Sequence, residues 1–247
     1  MIRPEEVKIL VAHDEPGALD EMGRRFEIFG FSADTVLSVP AALSRLQAEP
    51  KKYNVLIASL DESDTDNLQN LHWITDIKKK NPDEPRLFVL TREIDTVRRH
   101  LLHLGADGVL RPPLDTKNLI IWARKALMSP LERWQLPPTE QMDTFLTFKF
   151  ESLQKAQEKK LFRLGHGGFL IKVDNALPAT GTLMAIDIDV APLRLKGAAR
   201  IVWTDKTVDG YLAGFELIHL KSKEADKVGD WVKAAKPIAF IPSDFDR

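Results

Sequence analysis

Residues 7–16 read Val-Lys-Ile-Leu-Val-Ala-His-Asp-Glu-Pro, and the first six decide the fold. A nearly continuous apolar run marks a strand buried on both faces of a parallel sheet, because a strand with one wet face would alternate. A helix should follow. From Pro16 the apolar positions Leu19, Met22, Phe26 and Phe29 recur at helical spacing, and Gly30 supplies a C-terminal stop. The pattern then repeats. Short apolar stretches at Ser32–Val36, Val55–Leu60, Leu87–Thr91 and Gly108–Leu110 alternate with helical stretches near Pro40–Ala48, Leu68–Lys80, Asp95–Leu104 and Thr116–Met128. Five strand–helix units predict an α/β doubly wound, five-stranded parallel sheet over residues 1–128.

Residues 129–142 carry three prolines, whose ring constraint and missing donor oppose regular structure, so this segment is expected to be a linker. Over residues 143–247 the period changes to two. Phe145, Phe148 and Phe150, then Gly168–Val173, Thr182–Val190, Leu193–Trp203 and Tyr211–His219, read as strands separated by Gly, Asp, Asn and Pro turns. A small antiparallel β-barrel fits that spacing. Ser222–Lys236 is expected to close it as a C-terminal helix capped by Ser222, with Ala225, Val228, Trp231, Val232 and Ala235 along one stripe.

The chain has 247 residues, which suits two domains. Hydrophobic residues make up 44% and charged residues 29%, enough for packed cores. Lys+Arg 35 against Asp+Glu 36 leaves a formal charge of -1, so no positive field exists to gather nucleic acid. The absence of cysteine excludes disulfides, thiol nucleophiles and cysteine-based metal sites. No span approaches the roughly 20 apolar residues of a membrane helix. The first apolar run is too short for a signal peptide, and the expected location is the cytoplasm without membrane insertion.

Lys8-Ile9-Leu10-Val11-Ala12-His13-Asp14-Glu15-Pro16 and Leu104-Gly105-Ala106-Asp107-Gly108-Val109-Leu110 resemble the first-strand and fifth-strand regions of a two-component response-regulator receiver, a CheY-like or flavodoxin-like fold. In that family two acidic residues after strand one and an aspartate ending strand three bind magnesium, and the latter aspartate accepts the phosphoryl group. The resemblance implies a pocket of His13, Asp14, Ser59, Thr91 and Pro112. His13 replaces one acid, and Ser59 stands where the phosphoacceptor should be. An acyl phosphate needs an ionised carboxylate as nucleophile and a cation held by hard oxygen ligands. With only Asp14 left, the local charge falls from about -3 to about -1 and magnesium affinity should be weak. Thr91 matches the family's strand-four Ser/Thr. Aligned without a gap, Pro112 takes the place of the phosphate-sensing lysine and Val109 that of the aromatic switch; a one-residue deletion would bring Arg111 there instead. Asp61 would sit ~6–7 Å further along the strand than Ser59, which makes it a poor substitute.

In the second half, Leu164-Gly165-His166-Gly167-Gly168-Phe169-Leu170-Ile171, Ala199-Arg200-Ile201-Val202-Trp203 and Gly214-Phe215-Glu216 resemble a PilZ domain, the bacterial cyclic di-GMP receptor module. That family holds the dinucleotide with Arg-x-x-x-Arg and Asp/Asn-x-Ser-x-x-Gly motifs. Here the second motif reads Arg163-Leu164-Gly165-His166-Gly167-Gly168, so its acid is Arg163, its serine is Gly165, and only Gly168 survives. Lys159-Lys160-Leu161-Phe162-Arg163 has a similar charge spacing to the first motif, but a lysine point charge does not reproduce the guanidinium fork.

The function expected from these losses is a non-enzymatic signalling adaptor, with no cofactor or metal, that works on other signalling proteins. The family's usual docking face, with Val109 and Trp122, and the linker Trp134 are the candidate contact surface, and homodimerisation would use the same face. The alternative is cyclic di-GMP, or another nucleotide, bound through Lys159, Lys160, Arg163 and His166. His100 and His103 share a helix but lack the pattern of a metal site. Lys78-Lys79-Lys80, followed by Asn81-Pro82, reads as a helix C-terminus, where cations oppose the negative end of the dipole, and is assigned no partner. The apolar ending Pro237-Ile238-Ala239-Phe240-Ile241-Pro242 should pack on its own barrel or on another protein.

Overall fold

The computed structural model describes residues 6–60, 71–80, 85–92, 94–112, 127–128, 130–135, 137–139 and 141–245. It divides into two compact units, Met1–Met128 and Ser129–Arg247.

The first unit runs β1 (Lys8–Ala12), α1 (Pro16–Ile28), β2 (Ser32–Val36), α2 (Val39–Ala48), β3 (Val55–Ser59), α3 (His72–Lys80), β4 (Arg86–Leu90), α4 (Ile94–Leu104) and β5 (Gly108–Leu110). The strands form one parallel sheet in the order β2-β1-β3-β4-β5. This is the flavodoxin-like doubly wound order, with its switch point at β1 and β3. The apolar runs have the cause read from the sequence, since all of β4 and nearly all of β1 and β3 are buried whereas the edge strand β2 is not. α1 starts on Pro16, whose fixed φ suits the first helical position. It stops at Gly30 with φ 83°, where Phe31 turns back to meet Phe26 edge-on at 6.2 Å. Most of the expected helix Thr116–Met128, including Trp122, lies outside the described residues, as does Asp61.

The second unit runs α5 (Pro130–Gln135), β6 (Phe145–Phe150), α6 (Leu153–Glu158), β7 (Phe162–Leu164), β8 (Gly168–Val173), β9 (Leu183–Val190), β10 (Leu193–Thr207), β11 (Gly210–Leu220) and α7 (Ser222–Ala235). Its strand order is β6-β9-β10-β11-β8-β7. The expected wholly antiparallel barrel is corrected here: β6 pairs parallel with β9, and the result is a curled mixed sheet. Period-two patterning shows that a strand exists but not which way its neighbour runs. The curl brings Phe150 of β6 within 5.7 Å of Phe162 of β7, so the two edge strands meet through side chains. Phe162, Phe169 and Phe215 continue that stack through the core at 5.5 and 4.9 Å.

Two further expectations change. The segment 129–142 is not simply a linker, because its first part forms α5, which packs on α7 and β11 and buries Trp134 to 1% exposure. Proline at the first helical position costs no hydrogen bond. α7 buries Ala225, Val228, Gly229 and Val232, with Trp231 half-buried and Ala235 exposed. Its N-cap is Lys221, with no side-chain cap, so Ser222 begins the helix and does not cap it.

Candidate functional site

In an open parallel sheet the crevice outside the C-terminal strand ends, at the switch point, is where ligands bind. His13 and Asp14 follow β1, Ser59 ends β3, Thr91 follows β4, and Arg111 and Pro112 follow β5. The register makes these positions level: Ala12 pairs with Ala58, Ser59 with Leu90, and Leu90 with Leu110. Past the strand ends Leu60 N–H donates to Leu90 O at 2.9 Å and Thr91 N–H to Leu110 O at 3.0 Å. Ser59 is half-buried and Thr91 is 2% exposed, one residue apart in register on neighbouring strands.

The charge at this edge is small. His13 Nδ1 lies 3.0 Å from both the Glu15 amide and Asp14 Oδ1. His13 is not a hard oxygen ligand, so beside Asp14 it adds no second carboxylate to this edge. Asp14 has 69% of its side chain exposed. Among the described residues no group of three His, Cys, Asp or Glu side chains is placed to hold a metal ion. Among the described residues, positions 13, 14, 59 and 91 therefore offer an imidazole, one solvated carboxylate and two hydroxyls, a set with no activated nucleophile and no cation cage.

The second candidate lies on the turn between β7 and β8, where Gly165 N–H donates to Gly168 O at 2.8 Å. This turn brings together Arg163, Gly165, His166 and Gly168, and the chain's own C-terminal segment covers it. His166 N–H donates to Ala239 O and Gly167 N–H to Phe240 O, both at 3.0 Å. Arg163 Nη1 donates to Asp244 O at 3.2 Å and lies 3.4 Å from its Oδ1. The Phe240 ring meets the His166 imidazole edge-on at 5.2 Å and lies 5.9 Å beneath the Arg133 guanidinium. His166 is 1% exposed. Lys159 and Lys160 are not part of this cluster. They are exposed at the other end of β7, where they terminate α6: Lys160 takes φ 54° and donates its N–H to Gln157 O.

Of the residues expected to form a contact surface, Val109 is 6% and Trp134 1% exposed, so neither presents one. A fifth-strand valine faces the sheet's packed layers, and Trp134 belongs to the second unit's core. The sequence reading also missed a buried ionic cluster of Lys78, Arg86 and Asp107. The signal was present, since Leu71, Ile74 and Lys78 share one helical face and the first two are fully buried.

Solved structures similar to this chain include a response-regulator receiver domain protein from Clostridium thermocellum, 25% identical, covering 49% of this chain and 94% of that one with TM-score 0.42. An orphan response regulator of H. pylori is 17% identical over 51% of this chain and 100% of that one, with TM-score 0.42. A CheY-like receiver domain protein from Methanospirillum hungatei is 17% identical over 49% of this chain and 93% of that one, with TM-score 0.42. No family model matches the sequence, and no curated protein matches it.

Proposed function

We propose that the chain is a non-enzymatic signalling adaptor, in which a receiver-like unit without phosphoryl-transfer chemistry is fused to a PilZ-like unit, both acting through protein contacts. The observation that carries this reading is Ser59 at the end of β3. The position closest to the switch point has an alcohol where an acyl phosphate requires a carboxylate. The solvated Asp14 and the proline after β5 support it, because these two positions supply one carboxylate and no ammonium toward a phosphoryl group.

The cyclic di-GMP alternative is disfavoured because the amides of the Gly165–Gly168 turn already donate to Ala239 and Phe240. No described helix is long and apolar enough to cross a membrane.

The test is to add beryllofluoride with magnesium to the full chain and follow amide chemical shifts along the ends of β1, β3 and β4. The reading expects no change there. Saturable shifts centred on residues 13, 14 and 59 would overturn it.

A further inference from the structure

The turn after β7 is built to seat a second stretch of main chain. Two successive amides, on His166 and Gly167, donate to two successive carbonyls, on Ala239 and Phe240. Main-chain hydrogen bonds supply affinity, while the surroundings of the seated side chains supply specificity. The glycines are there for space and not for conformation, since none of the three adopts the positive φ seen at Gly30, Gly105, Gly181 and Gly210. A Cβ on Gly165 would stand 2.6 Å from the carbonyl oxygens of both Ala239 and Phe240. On Gly167 it would stand 2.0 Å from the Phe240 ring, and on Gly168 it would meet Phe215 O at 2.0 Å and Ile241 at 2.8 Å. Phe240 and Ile241, 4% and 1% exposed, are the apolar anchors, and Arg163 donates to the Asp244 carbonyl oxygen at 3.2 Å with its carboxylate 3.4 Å away. The segment reaches this place after Lys236, whose φ of 46° ends α7.

We propose that Arg163 and the Gly165–Gly168 turn form a peptide-recognition seat whose resident ligand is the chain's own segment Ala239–Asp244. A partner gains the seat only by presenting a segment with an aromatic anchor and an acid four residues beyond it. This deepens the adaptor reading by stating the chemistry a partner must carry. It is tested apart from the phosphoryl chemistry of the first unit, so either can fail alone.

The experiment compares the full chain with a chain ending at Lys236, titrated with a synthetic peptide of residues 237–247 by calorimetry. The shortened, folded chain is expected to bind with a Kd on the order of 10 µM, and the full chain about 100-fold more weakly, because a tethered competitor at millimolar effective concentration must leave first. The same peptide with Phe240→Ala should bind at least roughly tenfold more weakly. No binding by a folded shortened chain, or equal binding by both chains, would overturn the proposal. If the shortened chain does not fold, Gly167→Ala in the full chain decides, since its Cβ collides with the Phe240 ring. Amide exchange accelerated only over residues 237–245 supports the seat. Unchanged exchange, or acceleration across the whole second unit, shows the segment to be core and overturns it.

Discussion

The ammonium of Lys78 on α3 lies 2.5 Å from Asp107 Oδ2, with their side chains 0% and 2% exposed. Lys78 also donates to Pro85 O at 3.0 Å, while Asp107 accepts from Leu87 N–H at 2.8 Å and from Arg86 Nη1 at 3.2 Å. Asp107 thus fastens the start of β4 to the start of β5, and α3 to both. Removing one member of a buried pair typically costs about 3–5 kcal/mol when it strands the other charge, and here Arg86 and the Leu87 amide still face Asp107, which puts the cost at the low end. Lys78→Ala should therefore destabilise the first unit by roughly 3 kcal/mol in urea denaturation, whereas Lys79→Ala, at an exposed position, should stay within about 0.5 kcal/mol.

The same residues show what the sequence could and could not reveal. The doubly wound sheet was legible because strands buried on both faces have little room for polar residues, and β1, β3 and β4 carry theirs only at an end, at Lys8, Ser59 and Arg86. The three lysines do end α3, but nothing in the run itself tells that Lys78 is buried; only its spacing from Leu71 and Ile74 places it inward. α5 was hidden by its prolines, yet Ser129-Pro130-Leu131-Glu132 carries the Ser-x-x-Glu pattern of a helix start. The direction of β6 was not legible, since nothing local to Phe145–Phe150 specifies β9 as a parallel neighbour. The glycines of the β7–β8 turn suggested a ligand loop, and only the fold shows residues 239–241 packed where side chains would have been.

Acid should loosen the edge strand β2 through Asp34. Its carboxyl is held below the ordinary value of 3.8, first by the hydrogen bond that Tyr53 Oη donates at 2.5 Å, against an opposing effect of burial, and then by Lys52 and Arg45. A depressed folded pKa means that this stabilisation is complete above the unfolded value near 3.8. It is lost as pH falls through the lower folded value. The stability gap between the wild-type protein and Asp34→Asn should be flat above about pH 4 and close on further acidification. In Tyr53→Phe, NMR titration of Asp34 should move toward the ordinary carboxylate range.

Two lysines hold left-handed backbone, Lys160 at φ 54° after α6 and Lys236 at φ 46° after α7. A residue with a Cβ is disfavoured there by about 1–2 kcal/mol, and glycine loses part of that gain to its greater freedom in the unfolded chain. Lys160→Gly and Lys236→Gly should each stabilise the second unit by roughly 0.5–1 kcal/mol in chemical denaturation. A loss of stability in Lys160→Gly would mean that its side chain contributes more than its backbone costs.

Ser59 offers a gain-of-function prediction. Its backbone already ends β3 at the switch point, level with Leu90 and next to Thr91, so a carboxylate introduced there needs no change in the sheet. His13→Asp with Ser59→Asp would add two carboxylates near Asp14, taking the local charge from about -1 to about -3, the hard-oxygen environment a magnesium ion requires. Calorimetric titration should show at least roughly tenfold tighter magnesium binding in the double variant than in the unaltered chain, with each single variant between them. The same three anions repel one another, so without magnesium the double variant should be less stable than the parent, and added magnesium should reverse the deficit. Equal magnesium affinity in the double variant and the unaltered chain would show that positions 13, 14 and 59 do not converge, and the serine could no longer be read as the loss that ended phosphoryl chemistry.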